Sequence, residues 1–156
     1  MRPILVLVLL AGLAVVPGPA AARPGATGRA DGRGTREVLH AWDERRAVAW
    51  ARSEEAELRS LYAPGSGAGR ADVRMLRSWT SRGLVVRRLV TQVFGVRVLR
   101  HEPGAISLRV LDRVAGGLVS DGRREWPLRS SPPAVRRVDL VLVAGDWRVA
   151  AVTGWG

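Results

Sequence analysis

Residues 84–114, LVVRRLVTQVFGVRVLRHEPGAISLRVLDRV, decide the fold class. Bulky β-branched residues alternate with arginines and small polar residues, the period of a strand rather than of a helix. Glu102-Pro103-Gly104 punctuates the run, so it reads as two long antiparallel strands joined by a tight turn. In the second, Ile106, Leu108, Val110 and Val114 share one face, and Ser107, Arg109 and Arg113 the other. That alternation predicts a sheet with one covered and one wet face. In the first strand the phase slips at Gly95, with Leu89 and Val93 before it and Val96 and Val98 after it, which predicts a bulge that bends the strand.

Downstream, Gly116 to Gly122 reads as a turn or irregular extension, and Arg123 to Leu128 as a short edge interrupted by Pro127. Val138, Leu140 and Leu142 mark a further strand, Gly145-Asp146 turns it, and Trp147, Val149 and Ala151 mark the last. Upstream the period is helical. Thr35 is placed to cap a helix reaching about Arg52, with Leu39, Trp42, Ala49 and Trp50 on one face. Ser53 with Glu54, Glu55 and Glu57 reads as the cap and first turn of a second short helix, ended by the loop Pro64 to Arg70. Asp72 is expected to cap a third, with Val73, Leu76 and Trp79 inward and Gly83 closing it. Helices first and a meander of strands after them predict an α+β domain, the helices packed on one face of a curved antiparallel sheet.

The chain begins with Arg2, a run of 13 apolar residues from Ile4 to Val16, and small residues ending in Ala20-x-Ala22. That is the order of a cleavable secretory signal over residues 1–22. As a helix the apolar run spans about 20 Å, short of a hydrocarbon core of about 30 Å, so an uncleaved anchor is the minor alternative. Residues 23–34, RPGATGRADGRG, read as a flexible linker, leaving 35–156 as one domain. The expected location is extracytoplasmic. There is no cysteine, so stability outside the cell has to come from packing rather than disulfides.

The formal charge is +11, and all 25 basic residues are arginine. Lysine and asparagine are absent, and Ile, Met, Phe and Tyr together number six. Arginine is thus partly a signature of a GC-rich genome. The domain still favours anionic surfaces. No basic helix with interleaved aromatics and no RNA-binding signature is present, so nucleic acid is not an expected partner.

The order of elements carries further landmarks: LYAPGS after the second helix, DVRMLRSWTSRGL as the third, and a closing hairpin with Gly145-Asp146-Trp147. Together these resemble the nuclear transport factor two-like superfamily, in particular its SnoaL-like and exported bacterial branches, over Thr35 to Trp155. The resemblance implies a cone in which helices close a bent sheet over an apolar cavity. Its members include isomerases, cyclases, dehydratases and non-catalytic domains, so the fold leaves the function open.

Asp112 is the sharpest candidate, because it shares the inward face of Ile106, Leu108, Val110 and Val114. Burial raises the pKa of an acid, and an inward carboxylate in such folds is a general-base candidate. The alternative is a solvated strand end or an Arg-paired carboxylate. Arg46 lies on the stripe of Leu39, Trp42 and Trp50, placed either to neutralise Asp112 or an anionic ligand or to extend past the stripe edge to water. Trp42, Trp79 and Tyr62 are candidates to line the cavity, with helix-core packing as the competing role for the tryptophans. Neither His40 nor His101 has a second ligand at metal spacing, so no metal and no cofactor is expected.

These features predict an exported, non-catalytic domain that binds a small apolar or anionic ligand or an extracytoplasmic protein partner. The alternatives are a cone-fold isomerase or dehydratase using Asp112, and Arg-mediated adhesion to anionic envelope surfaces.

Overall fold

The computed structural model describes residues 28–154. The expected signal peptide, residues 23–27 of the expected linker, and Trp155 lie outside them. Three helices precede five strands: α1 (Gly28–Arg52), α2 (Glu55–Ser60), α3 (Gly67–Thr80), β1 (Val85–Glu102), β2 (Ala105–Ser120), β3 (Glu125–Pro127), β4 (Ala134–Val143) and β5 (Asp146–Gly154). The strands form one antiparallel sheet in the order β1-β2-β4-β5, with β3 paired to β2. The α+β architecture is as the sequence predicts.

β2 is the organising strand. Its first half, Ala105 to Asp112, pairs with β4, and its last residues, Leu118 to Ser120, pair with β3. β1 runs beside both halves, with a register shift between Val93 and Gly95. The slip read at Gly95 is therefore a bulge, and there β1 can turn from one half of the sheet to the other. The stretch read as a turn at Gly116 is instead the continuation of β2. Its glycines admit close approach: a Cβ on Gly117 would stand 3.1 Å from the Arg88 carbonyl oxygen and 3.3 Å from that of Arg87.

The covered face of the sheet meets the helices in one core. Ile106, Leu108 and Val110 of β2, Leu140 of β4 and Val149 of β5 pack with Trp50, Leu58, Leu61 and Leu76 of the helical layer, all essentially fully buried. The segment between α2 and α3 is stitched to the sheet by its backbone. Val149 N–H donates to the Leu61 carbonyl at 3.1 Å, and Ala63 N–H donates to the Val149 carbonyl at 3.0 Å.

Three helix starts differ from the sequence reading. α1 begins at Gly28, so the last part of the expected linker is helical and Thr35 is buried within the helix rather than capping it. Once a packed segment nucleates a helix, extending it is cheap. α3 is capped by Ser66, whose Oγ accepts from Gly69 N–H at 3.2 Å. Asp72 therefore sits inside α3, not at its start.

Ser53 also does not cap α2, whose N-cap is Glu54. It ends α1 in the left-handed region, at φ 57°, with its Oγ buried and unpartnered among the described residues. Glycine is the residue suited to that position. Ser53→Gly is expected to raise stability by about 1 kcal/mol, read as a higher urea midpoint with an unchanged slope.

Candidate functional site

Two side-chain constellations occupy the space between helices and sheet, and they divide along Tyr62. Behind Tyr62 is a buried polar knot centred on Asp72. Arg46 of α1 donates to it through two nitrogens, Nε to Oδ2 and Nη2 to Oδ1, both at 2.7 Å. Trp50 Nε1 donates to Oδ1 at 3.2 Å, and Tyr62 Oη donates to Oδ2 at 2.7 Å. Arg46 and Asp72 are only 7% and 4% exposed. Burial opposes the Arg46 charge, but the Asp72 carboxylate outweighs it and raises the guanidinium pKa above its ordinary value. Burial likewise pushes the Tyr62 phenol up, so it stays a hydrogen-bond donor. Gly69 lets α3 approach this knot, because a Cβ there would lie 2.7 Å from the Tyr62 side chain.

In front of Tyr62 is a cavity of about 360 Å³ between α1 and the bent strands. Its walls include Leu39 and Trp42 from α1, Val96 from β1, Val110 and Val114 from β2, and Val138 from β4. Trp42 is held by a bond from its Nε1 to the Leu61 carbonyl at 2.8 Å, and its ring meets that of Tyr62 edge-on with centroids 5.4 Å apart. The polar groups reaching this space are Asp43, Arg46, Tyr62, Thr91, Asp112, Arg113 and Arg136, with Arg36, His40 and Glu44 from α1. His40 and Glu44 are exposed and lie 3.6 Å apart. Among the described residues no group of His, Cys, Asp and Glu is arranged to hold a metal ion.

Asp112 faces the cavity beside Arg136, whose Nε stands 2.9 Å from Oδ1. The N–H is not aimed along that contact, and Oδ1 is buried without a directed hydrogen-bond donor. Burial raises the Asp112 pKa; Arg136 opposes the shift without cancelling it. Asp43, one turn before Arg46, is not among the site residues that the sequence suggests. It lines the same cavity and accepts from Thr91 Oγ1 at 3.1 Å. Its pKa is also raised by burial, against the pull of Arg46.

Of the five ligand-binding candidates from the sequence, Trp42, Arg46, Tyr62 and Asp112 line this cavity and Trp79 does not. Trp79 is a core residue of α3 with the Arg82 guanidinium 5.1 Å from its ring centroid. Arg46 does reach the cavity, but its charge is matched by Asp72 rather than by Asp112. The alternation in β2 was signal enough to find Asp112, whereas Asp43 has no such signal because helical spacing alone cannot say how wide the covered stripe is.

Two carboxylates with raised pKa, Asp43 and Asp112, contribute to the pH dependence of the fold. A proton binds Asp43 and Asp112 more tightly in the folded chain than in the unfolded one, so their favourable contribution is present below an ordinary carboxylate pKa of about 3.9 and is lost as pH rises through the raised folded value. Asp43→Asn should therefore be more stable than the natural protein at neutral pH, with the difference closing towards pH about 4. Urea midpoints measured at the two pH values check this, and a constant difference would refute it.

No family model and no curated protein matches the sequence. Solved structures do match in shape. A protein from Catenulispora acidiphila is 15% identical, with 80% of this chain and 92% of that one covered and a TM-score of 0.53. ActVI-ORFA from Streptomyces coelicolor is 12% identical, covering 78% and 97%, with a TM-score of 0.52. The intermembrane space region of the chloroplast protein ARC6 is 9% identical, covering 85% and 99%, with a TM-score of 0.52. These likenesses show the fold. The chain has the cone-like α+β architecture that its sequence predicts.

Proposed function

We propose that the chain is an exported domain that binds a small, mainly apolar molecule in the cone cavity, with Asp112 accepting a hydrogen bond from the ligand's polar group. The observation that carries this reading is the buried Asp112 Oδ1, without a directed donor, at the wall of a cavity of about 360 Å³. That volume lies within the range of small-molecule sites, about 300–1,000 Å³. Arg136 supplies a counter-charge at 2.9 Å, and a ligand N–H or O–H adds the directed hydrogen bond, about 1.5–3 kcal/mol for one to a charged group.

Of the apolar and anionic ligands expected from the sequence, an anion fits poorly at the Asp43–Asp112 end of the cavity, whereas Arg36 and Arg113 line it elsewhere. Arg46 is matched by Asp72 and Arg136 by Asp112, which leaves Asp43 with only a hydroxyl partner. A donor-bearing, neutral or cationic ligand suits that balance.

The test uses β-naphthol, a flat donor-bearing aromatic, and its anionic analogue β-naphthoate. β-Naphthol should quench tryptophan emission saturably, through Trp42 at the cavity wall. Asp112→Asn should weaken it about tenfold, the worth of one charge-assisted hydrogen bond. β-Naphthoate should bind more weakly than β-naphthol. Absence of saturable binding, or binding indifferent to Asp112→Asn, overturns the reading.

The position of Asp112 supports a second reading, that of a general base in an isomerase or dehydratase. α-Tetralone incubated in D₂O separates the two. Asp112-dependent deuterium uptake beside the carbonyl favours the base, and its absence leaves a binding domain. Export rests on residues 1–22, and a secreted product that starts at Arg23 would support it.

A further inference from the structure

On the far side of Tyr62 from the cone cavity is a second concavity of about 770 Å³, between α2, the Pro64–Ser66 turn, α3 and β5. Arg59, Arg70, Arg74, Arg77 and Arg148 line it, and no carboxylate does. Two of these arginines are engaged. Arg77 Nε donates to Glu55 Oε2 at 2.6 Å, and Arg70 Nη1 to the Gly65 carbonyl at 2.7 Å. Among the described residues, Arg59, Arg74 and Arg148 have no side-chain partner, and the buried Arg148 Nε has no acceptor.

The arginine-rich composition explains why there are many guanidiniums, but not why five of them line one concavity. Four arginines elsewhere on the surface each stand beside a carboxylate, Arg45 with Glu57, Arg87 with Glu125, Arg100 with Glu102 and Arg137 with Asp139, and others, such as Arg123 and Arg124, extend singly from exposed turns. In the groove three unpaired guanidiniums come from three different elements, α2, α3 and β5. Like charges gathered in one concavity repel, and the buried Arg148 N–H forgoes a hydrogen bond. An anion entering the groove removes both costs. A carboxylate presents a single fork to one arginine, whereas a phosphoryl group presents three oxygens and enough charge for several.

We propose that this groove is an anion site that holds a phosphoryl group through Arg59, Arg74 and Arg148. It is separate from the cone cavity and stands whether or not that cavity binds a ligand. The phosphoryl group has two sources, a soluble phosphate ester or a phospholipid headgroup, and the experiment distinguishes them.

Titration calorimetry with inorganic phosphate and with glycerol phosphate is paired with co-sedimentation on phosphatidylcholine vesicles with and without phosphatidylglycerol. The variant is R74Q/R148Q. The control is R123Q/R124Q, which removes the same charge from the exposed turn between β2 and β3. Binding should fall about tenfold or more in R74Q/R148Q and little in the control. Arg74→Gln alone, at an exposed helix position, repeats the test should the double variant melt early. Binding of the soluble phosphates, lost in the groove variant, supports a soluble source. Binding only to phosphatidylglycerol vesicles, lost in the same variant, supports a headgroup. Equal losses in both double variants show bulk charge and overturn the proposal, as does absence of binding to every probe.

Discussion

Asp72→Ala should cost about 3–5 kcal/mol of folding free energy, the expected loss when one member of a buried ion pair is removed. The carboxylate accepts from Arg46, Trp50 and Tyr62. Its removal leaves a buried guanidinium without a counter-charge, an indole N–H and a phenol O–H without acceptors, and a void in α3. The decisive comparison is with Arg46→Met/Asp72→Leu, which removes both charges together. Because paired charges pay a large desolvation cost, that double variant should recover the part of the loss due to the unpaired guanidinium, while the orphaned Trp50 N–H and Tyr62 O–H keep it below the natural protein. Urea unfolding of the natural protein, the single variant and the double variant measures it. A single variant as stable as the natural protein would show that the knot does not hold the helical layer in place.

Leu108→Ala should cost about 2–5 kcal/mol, as for other fully buried leucines. Leu108 sits in the middle of β2, registered against Val98 of β1 and Val138 of β4, and no part of its side chain reaches solvent. Three paired strands fix its backbone, so the site cannot collapse around the missing atoms and the cost belongs to the upper part of that range. Leu111→Ala, three residues along on the exposed face, should stay within about 0.5 kcal/mol of the natural protein. The contrast in urea midpoints tests the in-out assignment of the strand directly.

These two residues also mark how far the sequence could be read. Leu108 was legible because a strand repeats every two residues, so Ile106, Leu108, Val110 and Asp112 declare one face without knowledge of any partner. Gly95 was legible for the same reason, as a break in that repeat. Asp72 was not. Aspartate is a favoured helix cap, and the Gly-rich PGSGAGR before it has the composition of a loop. The segment is nonetheless helical from Gly67, and Gly69 is needed where α3 meets Tyr62. Gly116 and Gly117 misled in the same way within β2. In both places glycine marks close packing, which local composition cannot distinguish from a turn. The cavity followed in outline from Asp112, Trp42 and Tyr62, but Asp43 and the arginine groove are assembled from separate elements and carry no local pattern.

The bridge between the α2–α3 connection and Val149 has a consequence for solubility. An unpaired strand at the border of a sheet is a template for another chain to add to, and β1, β5 and the three-residue β3 border this one. The chain's own Leu61–Ala63 occupies backbone groups of β5 at Val149. β1 departs from a straight ladder at four register shifts, which disfavours the flat approach of a second strand. A protein without disulfides to hold it closed thus has both long border strands interrupted against fibrillar growth, β5 at Val149 and β1 at its bulges.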